Sequence, residues 1–123
     1  MNKITVIGRL TVDPQIRNAG NSTVTTFGLA ANSMHKNAEG VYIPMFYRVS
    51  VWGKHGEQCA RYLHKGDRCA AVGDFFMKEY KKNSGENAFA HEIENASIEF
   101  LNNPATKESV KPIETAYDDD LPF

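Results

Sequence analysis

Alternation of apolar and polar residues with a period of two runs through the first hundred residues, and it constrains the fold more than any other feature of the sequence. Such alternation is typical of β-strands that bury one face. In the strongest run, Val49 and Val51 fall on one face, whereas Phe46, Arg48 and Trp52 fall on the other. Five runs separated by turn residues predict five strands, at residues 3–10, 23–32, 43–52, 68–80 and 88–101.

One segment departs from this period. Residues 54–64 show no alternation and contain the good helix formers Gln58, Ala60 and Leu63. The segment stops at Lys65-Gly66-Asp67, which is typical of a helix that ends at a glycine. A single short helix between the third and fourth strands is the element order of an OB-fold, so we predict an all-β, five-stranded Greek-key barrel. Barrels of this class commonly bind oligonucleotides.

The last part of the chain differs in composition from the body. Residues 102–117 contain two prolines and little hydrophobic content, so we predict an unstructured linker. Residues 1–101 carry 12 Lys and Arg against 10 Asp and Glu, whereas residues 102–123 carry 2 against 5. The sequence thus predicts a folded domain at 1–101, a flexible linker at 102–117 and a disordered acidic tip at 118–123.

Length and composition exclude several classes of protein. A chain of 123 residues with 41% hydrophobic and 24% charged residues suits one globular domain. No apolar stretch approaches the roughly 18 residues that span a bilayer, and the N-terminus lacks the apolar region of a secretory signal. We therefore expect a cytoplasmic protein without membrane association, in which Cys59 and Cys69 are reduced, half-buried thiols.

Aromatic and cationic residues share one face on two of the predicted strands. This face carries Phe46, Arg48 and Trp52 on the third strand, and Phe76, Lys78 and Tyr80 on the fourth. Aromatic rings stack on unpaired bases whatever their identity, while Lys and Arg neutralise the phosphates between them. The alternative is that the aromatic rings are part of the core. Nearby residues that extend the track are His35, Lys36, Lys81 and Lys82.

The last six residues combine three carboxylates with an apolar end. Asp118, Asp119 and Asp120 precede Leu121, Pro122 and Phe123. A flexible tail of this kind can insert its aromatic ring into a partner's pocket while its acids meet a basic rim. The alternative is a solubilising acidic tail, which leaves the apolar residues unexplained.

Together these features resemble the bacterial single-stranded DNA-binding protein family, a homotetrameric OB-fold family. The resemblance covers residues 2–101 and the six-residue tip, and the tip is its most specific part. The matching pieces are Asn2-Lys3-Ile4, Ile7-Gly8-Arg9-Leu10, Asp13-Pro14 with Arg17, Phe46-Tyr47-Arg48-Val49, Trp52-Gly53-Lys54, Tyr62-Leu63, Lys65-Gly66, Gly73 with Tyr80, and Asp118 to Phe123.

The resemblance implies a bacterial or phage protein, associated with the nucleoid, that binds single-stranded DNA without sequence preference during replication, recombination and repair. It implies a homotetramer without catalysis, cofactor or metal, whose tip recruits partner enzymes through Pro122 and Phe123. The family's stacking positions fall on Phe46, Trp52 and Tyr80, and its phosphate-contacting positions on Arg48 and Lys78. The full set of candidate DNA-binding residues is Lys3, Arg9, Arg17, His35, Lys36, Phe46, Arg48, Trp52, Lys54, Phe76, Lys78, Tyr80, Lys81 and Lys82.

Other functions remain open at this point. His55, Cys59, His64 and Cys69 suggest a zinc site, but no second converging pair of ligands is evident. A nuclease needs clustered carboxylates, whereas Asp13, Asp67 and Asp74 are scattered over separate elements. The remaining alternatives are a protein-interaction adaptor and a primosome OB-fold protein, both with weak DNA binding.

Overall fold

The computed structural model describes residues 1–101 and contains six strands and one helix in this part of the chain. The predicted linker at 102–117 and the acidic tip at 118–123 lie outside the described residues. The elements are β1 (Lys3–Leu10), β2 (Gln15–Ala19), β3 (Ser22–Lys36), β4 (Tyr42–Trp52), α1 (Gly53–Tyr62), β5 (Arg68–Lys81) and β6 (Asn87–Phe100).

Five of the strands close into a barrel. Their order around the ring is β1, β5, β6, β4 and β3, and the pairing of Arg9 with Ala30 and of Leu10 with Leu29 returns β3 to β1. The pairs are antiparallel except β4 with β6, which run parallel over Tyr47–Val49. The predicted OB-fold, with one short helix between the third and fourth strands of the barrel, is confirmed.

The structure adds a strand that the sequence analysis missed. β2 forms a hairpin with β3 outside the ring, and its residues are mostly exposed. The helix therefore lies between the fourth and fifth strands in chain order. Alternation could not reveal β2, because a short strand with no buried face shows no apolar period.

Two predicted boundaries were wrong. β3 continues to Lys36, four residues beyond the predicted end, because it pairs with β4 across an irregular register between Asn32 and Lys36. The helix ends at Tyr62 with Leu63 as an extended C-cap. Gly66 has φ of 91° in the following turn, so this glycine makes the turn into β5 and does not cap the helix.

The barrel interior follows the predicted alternation. Val6 and Leu10 of β1 and Val49 and Val51 of β4 are buried, and the core also contains Phe27, Leu29, Cys59, Leu63, Cys69, Ala71, Ile93, Ala96 and Ile98. The cysteines are free and fully buried, so the expectation of half-buried thiols was wrong. In the described part of the chain, the helix is too short and too polar to cross a membrane.

A bulge in the β5–β6 pair changes which residues of β6 face outward. The register shifts by one residue between Val72 and Asp74, and Asn95 has a positive φ of 51°. Ala96 and Ile98 are buried on one side of the bulge, and Ile93 is buried on the other. The bulge thus reverses the parity of β6 and turns Glu92 toward the outer face, opposite Phe76.

Candidate nucleic-acid interface

A groove of about 530 Å³ crosses the outer face of the barrel. We call it the central groove, and five candidate DNA-binding residues line it, namely Arg17, Arg48, Trp52, Phe76 and Lys78. They come from three strands, β2, β4 and β5, that are far apart in sequence. Its other lining residues are Val24, Thr26, Ser50, Glu92 and Glu94.

Strand register explains why these residues meet. Arg48 on β4 lies opposite Gly28 on β3 and beside Glu92 on β6, and Glu92 lies opposite Phe76 on β5. Because directly paired residues share a face of a sheet, this row places Arg48 and Phe76 on either side of Glu92. Trp52 lies opposite Val24, which pairs in turn with Arg17 on β2.

Two aromatic rings of the central groove are exposed to solvent. Trp52 is 46% exposed and Phe76 is 52% exposed, so neither ring belongs to the core. Exposed rings on a sheet present flat apolar surfaces, which is what stacking on an unpaired base requires. The helix α1 begins directly after Trp52, so the end of β4 is anchored beside this ring.

Phe46 and Tyr80, the other two aromatic candidates, do not line the central groove. Both are half-buried. Phe46 lies opposite Ala30 on β3, and Tyr80 lies opposite Ala88 on β6. Each lies on the same face of its strand as the groove residues, since Phe46 is two residues from Arg48 and Tyr80 is two residues from Lys78.

The central groove contains acidic residues that the sequence analysis missed. Arg48 Nη1 donates to Glu92 Oε1 at 3.3 Å, and Glu94 also lines the groove. The Glu92 side chain is 7% exposed and that of Arg48 is 22% exposed, so this ion pair is largely shielded from water. The strand pattern alone could not place these carboxylates, because the bulge reverses the parity of β6.

Two candidate cations on β1 lie outside the central groove. Lys3 Nζ bonds Asp74 Oδ1 at 2.6 Å, and hydrogen bonds from Lys3 and Asn95 lower the pKa of the Asp74 carboxyl. Arg9 lies at the other end of β1, paired with both Arg68 and Ala30. Burial lowers the pKa of Arg9, and the nearby charge of Arg68 lowers it further.

The remaining candidate cations are spread over the hairpin ends and the start of α1. His35 and Lys36 are exposed at the end of β3, where the Lys36 amine lies 4.9 Å from the centre of the Tyr42 ring. Lys81 is exposed at the end of β5, and Lys82 is half-buried in the turn to β6. Lys54 lines a second hollow of about 360 Å³ beyond Trp52, together with Asn18, Gly20, Asn21, Ser22, Thr23, Gly53 and Glu57.

Three of the side chains considered for zinc or nuclease chemistry accept hydrogen bonds from the backbone. His55 Nε2 accepts a hydrogen bond from the Ile98 N–H at 2.9 Å, and Asp13 accepts one from the Lys65 N–H at 2.8 Å. Asp67 accepts one from the His64 N–H at 2.9 Å. Within residues 1–101, no three His, Cys, Asp or Glu side chains converge as metal ligands would.

Comparison with known proteins finds a family model that matches residues 1–101, described as the single-strand binding protein family. Single-stranded DNA-binding protein 3 of Listeria innocua is 35% identical over 102 residues, which is 82% of this chain and 64% of that protein. The single-stranded DNA-binding protein of Halalkalibacterium halodurans is 34% identical over the same share of this chain and 61% of its own length. The chain therefore matches less than two thirds of the length of these two relatives.

Proposed function

Because this chain belongs to the single-strand binding protein family, we propose that it binds single-stranded DNA along the outer face of its barrel. The observation that carries the proposal is the central groove, in which two exposed aromatic rings lie among cations from three strands. Stacking does not depend on base identity, so the protein binds without sequence preference. Such a face binds unpaired bases and cannot recognise the sequence of duplex DNA.

Within this proposal the candidate residues have distinct roles. Trp52 and Phe76 stack on bases in the central groove, and Phe46 and Tyr80 extend the stacking surface along the same face. Arg17 and Lys78 neutralise phosphates beside the rings. The cations beyond the groove, namely Lys3, Arg9, His35, Lys36, Lys54, Lys81 and Lys82, guide the strand as it continues over the barrel.

We also propose a homotetramer, as in the family that the sequence resembles. The outer face of β1 and β5 supports self-association, because Ile7 is 52% exposed and pairs with Ala70 at the centre of this sheet. The exposed Val72 lies beside them. An apolar centre of this kind, with Lys3 and Asp74 at one end and Arg9 and Arg68 at the other, suits contact with a second copy.

The wider biological role is part of the same proposal. Coating of single strands protects them from nucleases and from re-annealing, and it involves no covalent chemistry and no cofactor. The tip, Asp118 to Phe123, then recruits enzymes of replication, recombination and repair, with Pro122 and Phe123 as its anchors. The site of action is the cytoplasm, at the nucleoid, where such strands arise.

The test uses Trp52, the one tryptophan of the chain. Its fluorescence is titrated with oligo-dT and with a duplex of equal length, at low and at high salt. We expect strong quenching by oligo-dT alone and weaker binding at high salt, because stacking quenches the indole and salt competes with phosphate contacts. Equal quenching by the duplex would contradict the proposal.

A matched pair of variants separates stacking from a general loss of stability. Trp52→Ala removes a groove ring and is expected to cost about 1–3 kcal/mol of binding free energy for oligo-dT. Tyr62→Ala removes an exposed ring on α1, away from the groove, and is expected to change affinity little. If Trp52→Ala binds oligo-dT as tightly as the unaltered protein, Trp52 does not stack on a base. If the unaltered protein fails to bind oligo-dT both by quenching and by mobility shift, the barrel is a scaffold and the adaptor alternative gains support.

A further inference from the structure

The Arg48–Glu92 ion pair lies on the floor of the central groove, in the same cross-strand row as Phe76. A single guanidinium nitrogen reaches the carboxylate, at 3.3 Å. The guanidinium carries five N–H donors, so this bond leaves others for a ligand. The facing residue on β3 is Gly28, which has no side chain to compete for these donors.

The other two cations of the central groove differ from Arg48. Neither Arg17 nor Lys78 forms an ion pair with any residue in the part of the chain that the structure describes. Both are exposed. Their charges are therefore balanced by solvent ions, which a phosphate can displace.

Glu92 places a strong constraint on Arg48. The Glu92 carboxylate is only 7% exposed, and a buried carboxylate without its counter-charge is costly. Arg48 must therefore stay beside Glu92. The pair contributes no net charge to the floor, and a phosphate that approached Arg48 would also meet the carboxylate of Glu92. The floor thus offers donors and an acceptor without attracting an anion.

We propose that the Arg48–Glu92 pair forms a charge-neutral floor that receives the polar edge of a base, while Arg17 and Lys78 bind the phosphates on either side. The edge of every base carries both hydrogen-bond donors and acceptors, which the guanidinium and the carboxylate can meet together. Glu92 is the positioning residue of this subsite. The proposal rests on the proposed function, and it replaces the phosphate contact that the family resemblance implies for Arg48.

Salt dependence distinguishes the two roles of Arg48. Each phosphate that a protein cation neutralises on a single strand contributes about 0.7 to the slope of log affinity against log salt concentration. A cation already neutralised by Glu92 contributes nothing to this slope. The experiment measures oligo-dT affinity from about 50 to 200 mM salt for the full chain and its variants.

We expect Lys78→Gln to reduce the magnitude of the slope by about 0.7, because a phosphate contact is lost. The double variant Arg48→Gln with Glu92→Gln should bind more weakly with an unchanged slope. Glu92→Gln alone should free Arg48 for a phosphate and steepen the slope by about 0.7. The ratio of its oligo-dT affinity to that of the unaltered protein should therefore fall about 2.6-fold from about 50 to 200 mM salt.

Glu94→Gln is the matched control, because Glu94 lines the same groove and has no ion-pair partner among residues 1–101. Its loss removes the same charge but releases no cation, so the slope should stay within a few tenths of that of the unaltered protein. A slope that steepens equally in Glu94→Gln and Glu92→Gln would overturn the proposal, since it would then report only the general charge of the groove.

A slope reduced by about 0.7 in the double variant, or left unchanged by Glu92→Gln, would show Arg48 to be an ordinary phosphate contact. If the double variant does not fold, Glu92→Gln alone decides, since Arg48 is partly exposed and tolerates the loss of its partner. Failure of the unaltered chain to bind oligo-dT would instead overturn the proposed function, which separates the two results.

Discussion

At the scale of single residues, burial controls the chemistry of the two cysteines. Both thiols are fully buried in the core, and burial raises the pKa of Cys59 to about 11 and that of Cys69 to about 12. The carboxylate of Asp67 and the thiol of Cys59 raise the pKa of Cys69 further. Both thiols are therefore protonated near neutral pH and behave as small apolar side chains.

These pKa values predict an alkaline loss of stability. The unfolded thiols ionise near pH 9 and the folded thiols only at higher pH, so their contribution is complete below pH 9 and is lost as the pH rises toward the folded pKa values. The loss is about 1.4 kcal/mol per pH unit for each thiol. Urea unfolding at pH 8 to 11 measures it, and a Cys59→Ala and Cys69→Ala double variant should show a shallower decline.

Reaction of the same thiols with a disulfide reagent offers an independent check. At pH 8 the folded protein should react far more slowly than the urea-unfolded protein, because the attacking thiolate is scarce and the sulfur atoms are covered. Fast reaction of the folded protein would contradict the burial of Cys59 and Cys69.

At the scale of elements, the closure of the barrel depends on a close approach between β1 and β3. A Cβ atom on Gly8 would overlap the backbone carbonyl of Ala30, since β1 crosses β3 at this point. Gly8 belongs to the motif Ile7-Gly8-Arg9-Leu10, and the close approach explains the residue type at this position. Only a glycine lets the two strands meet and close the ring.

We therefore expect Gly8→Ala to destabilise the fold by about 1–3 kcal/mol, because the strands must separate to admit a methyl group. Thermal or urea unfolding measures the change. Gln15→Ala is the control, since Gln15 is exposed on β2, outside both the ring and the face assigned to self-association, and its loss should cost less than about 0.5 kcal/mol. An equal effect of the two substitutions would show that the close approach of β1 to β3 at Gly8 does not limit the stability of the fold.

At the scale of the whole molecule, self-association should depend on the outer face of β1 and β5. Ile7→Lys places a charge at the apolar centre of that face and should dissociate the proposed tetramer, as measured by sedimentation. Ile16→Lys is the matched control, because Ile16 is 48% exposed, much like Ile7, but lies on β2 outside the ring. A tetramer that survives Ile7→Lys would require a different interface.

A second whole-molecule prediction distinguishes the role of the barrel from that of the tip. Deletion of residues 118–123 should abolish the capture of replication and repair enzymes and keep oligo-dT binding, whereas Trp52→Ala should weaken oligo-dT binding by about 1–3 kcal/mol and keep the capture. Affinity capture followed by mass spectrometry and a fluorescence titration measure the two activities. Equal loss of both activities in each variant would contradict this division of labour.

Tighter oligo-dT binding by the truncated chain at low salt would further indicate that the acidic tip competes with DNA for the basic face.

Much of the barrel and part of the candidate site could be predicted from the sequence. Period-two alternation separates Val49 and Val51 from Arg48 and Trp52 because the side-chain period of a strand is local. The same local rule identified Phe76 and Lys78 as neighbours on one face. The short strand β2 escaped this rule, because no face of it is buried.

Only the tertiary structure decided which residues of different strands meet. The pairing of Arg48 with Glu92 needs the parallel contact of β4 with β6 and the bulge that reverses the parity of β6. Arg17 joins Trp52 through a hairpin that no alternation predicts. Register and bulges arise from contacts between distant segments, so local periodicity determined the faces of the strands, and long-range pairing determined the groove and its neutral floor.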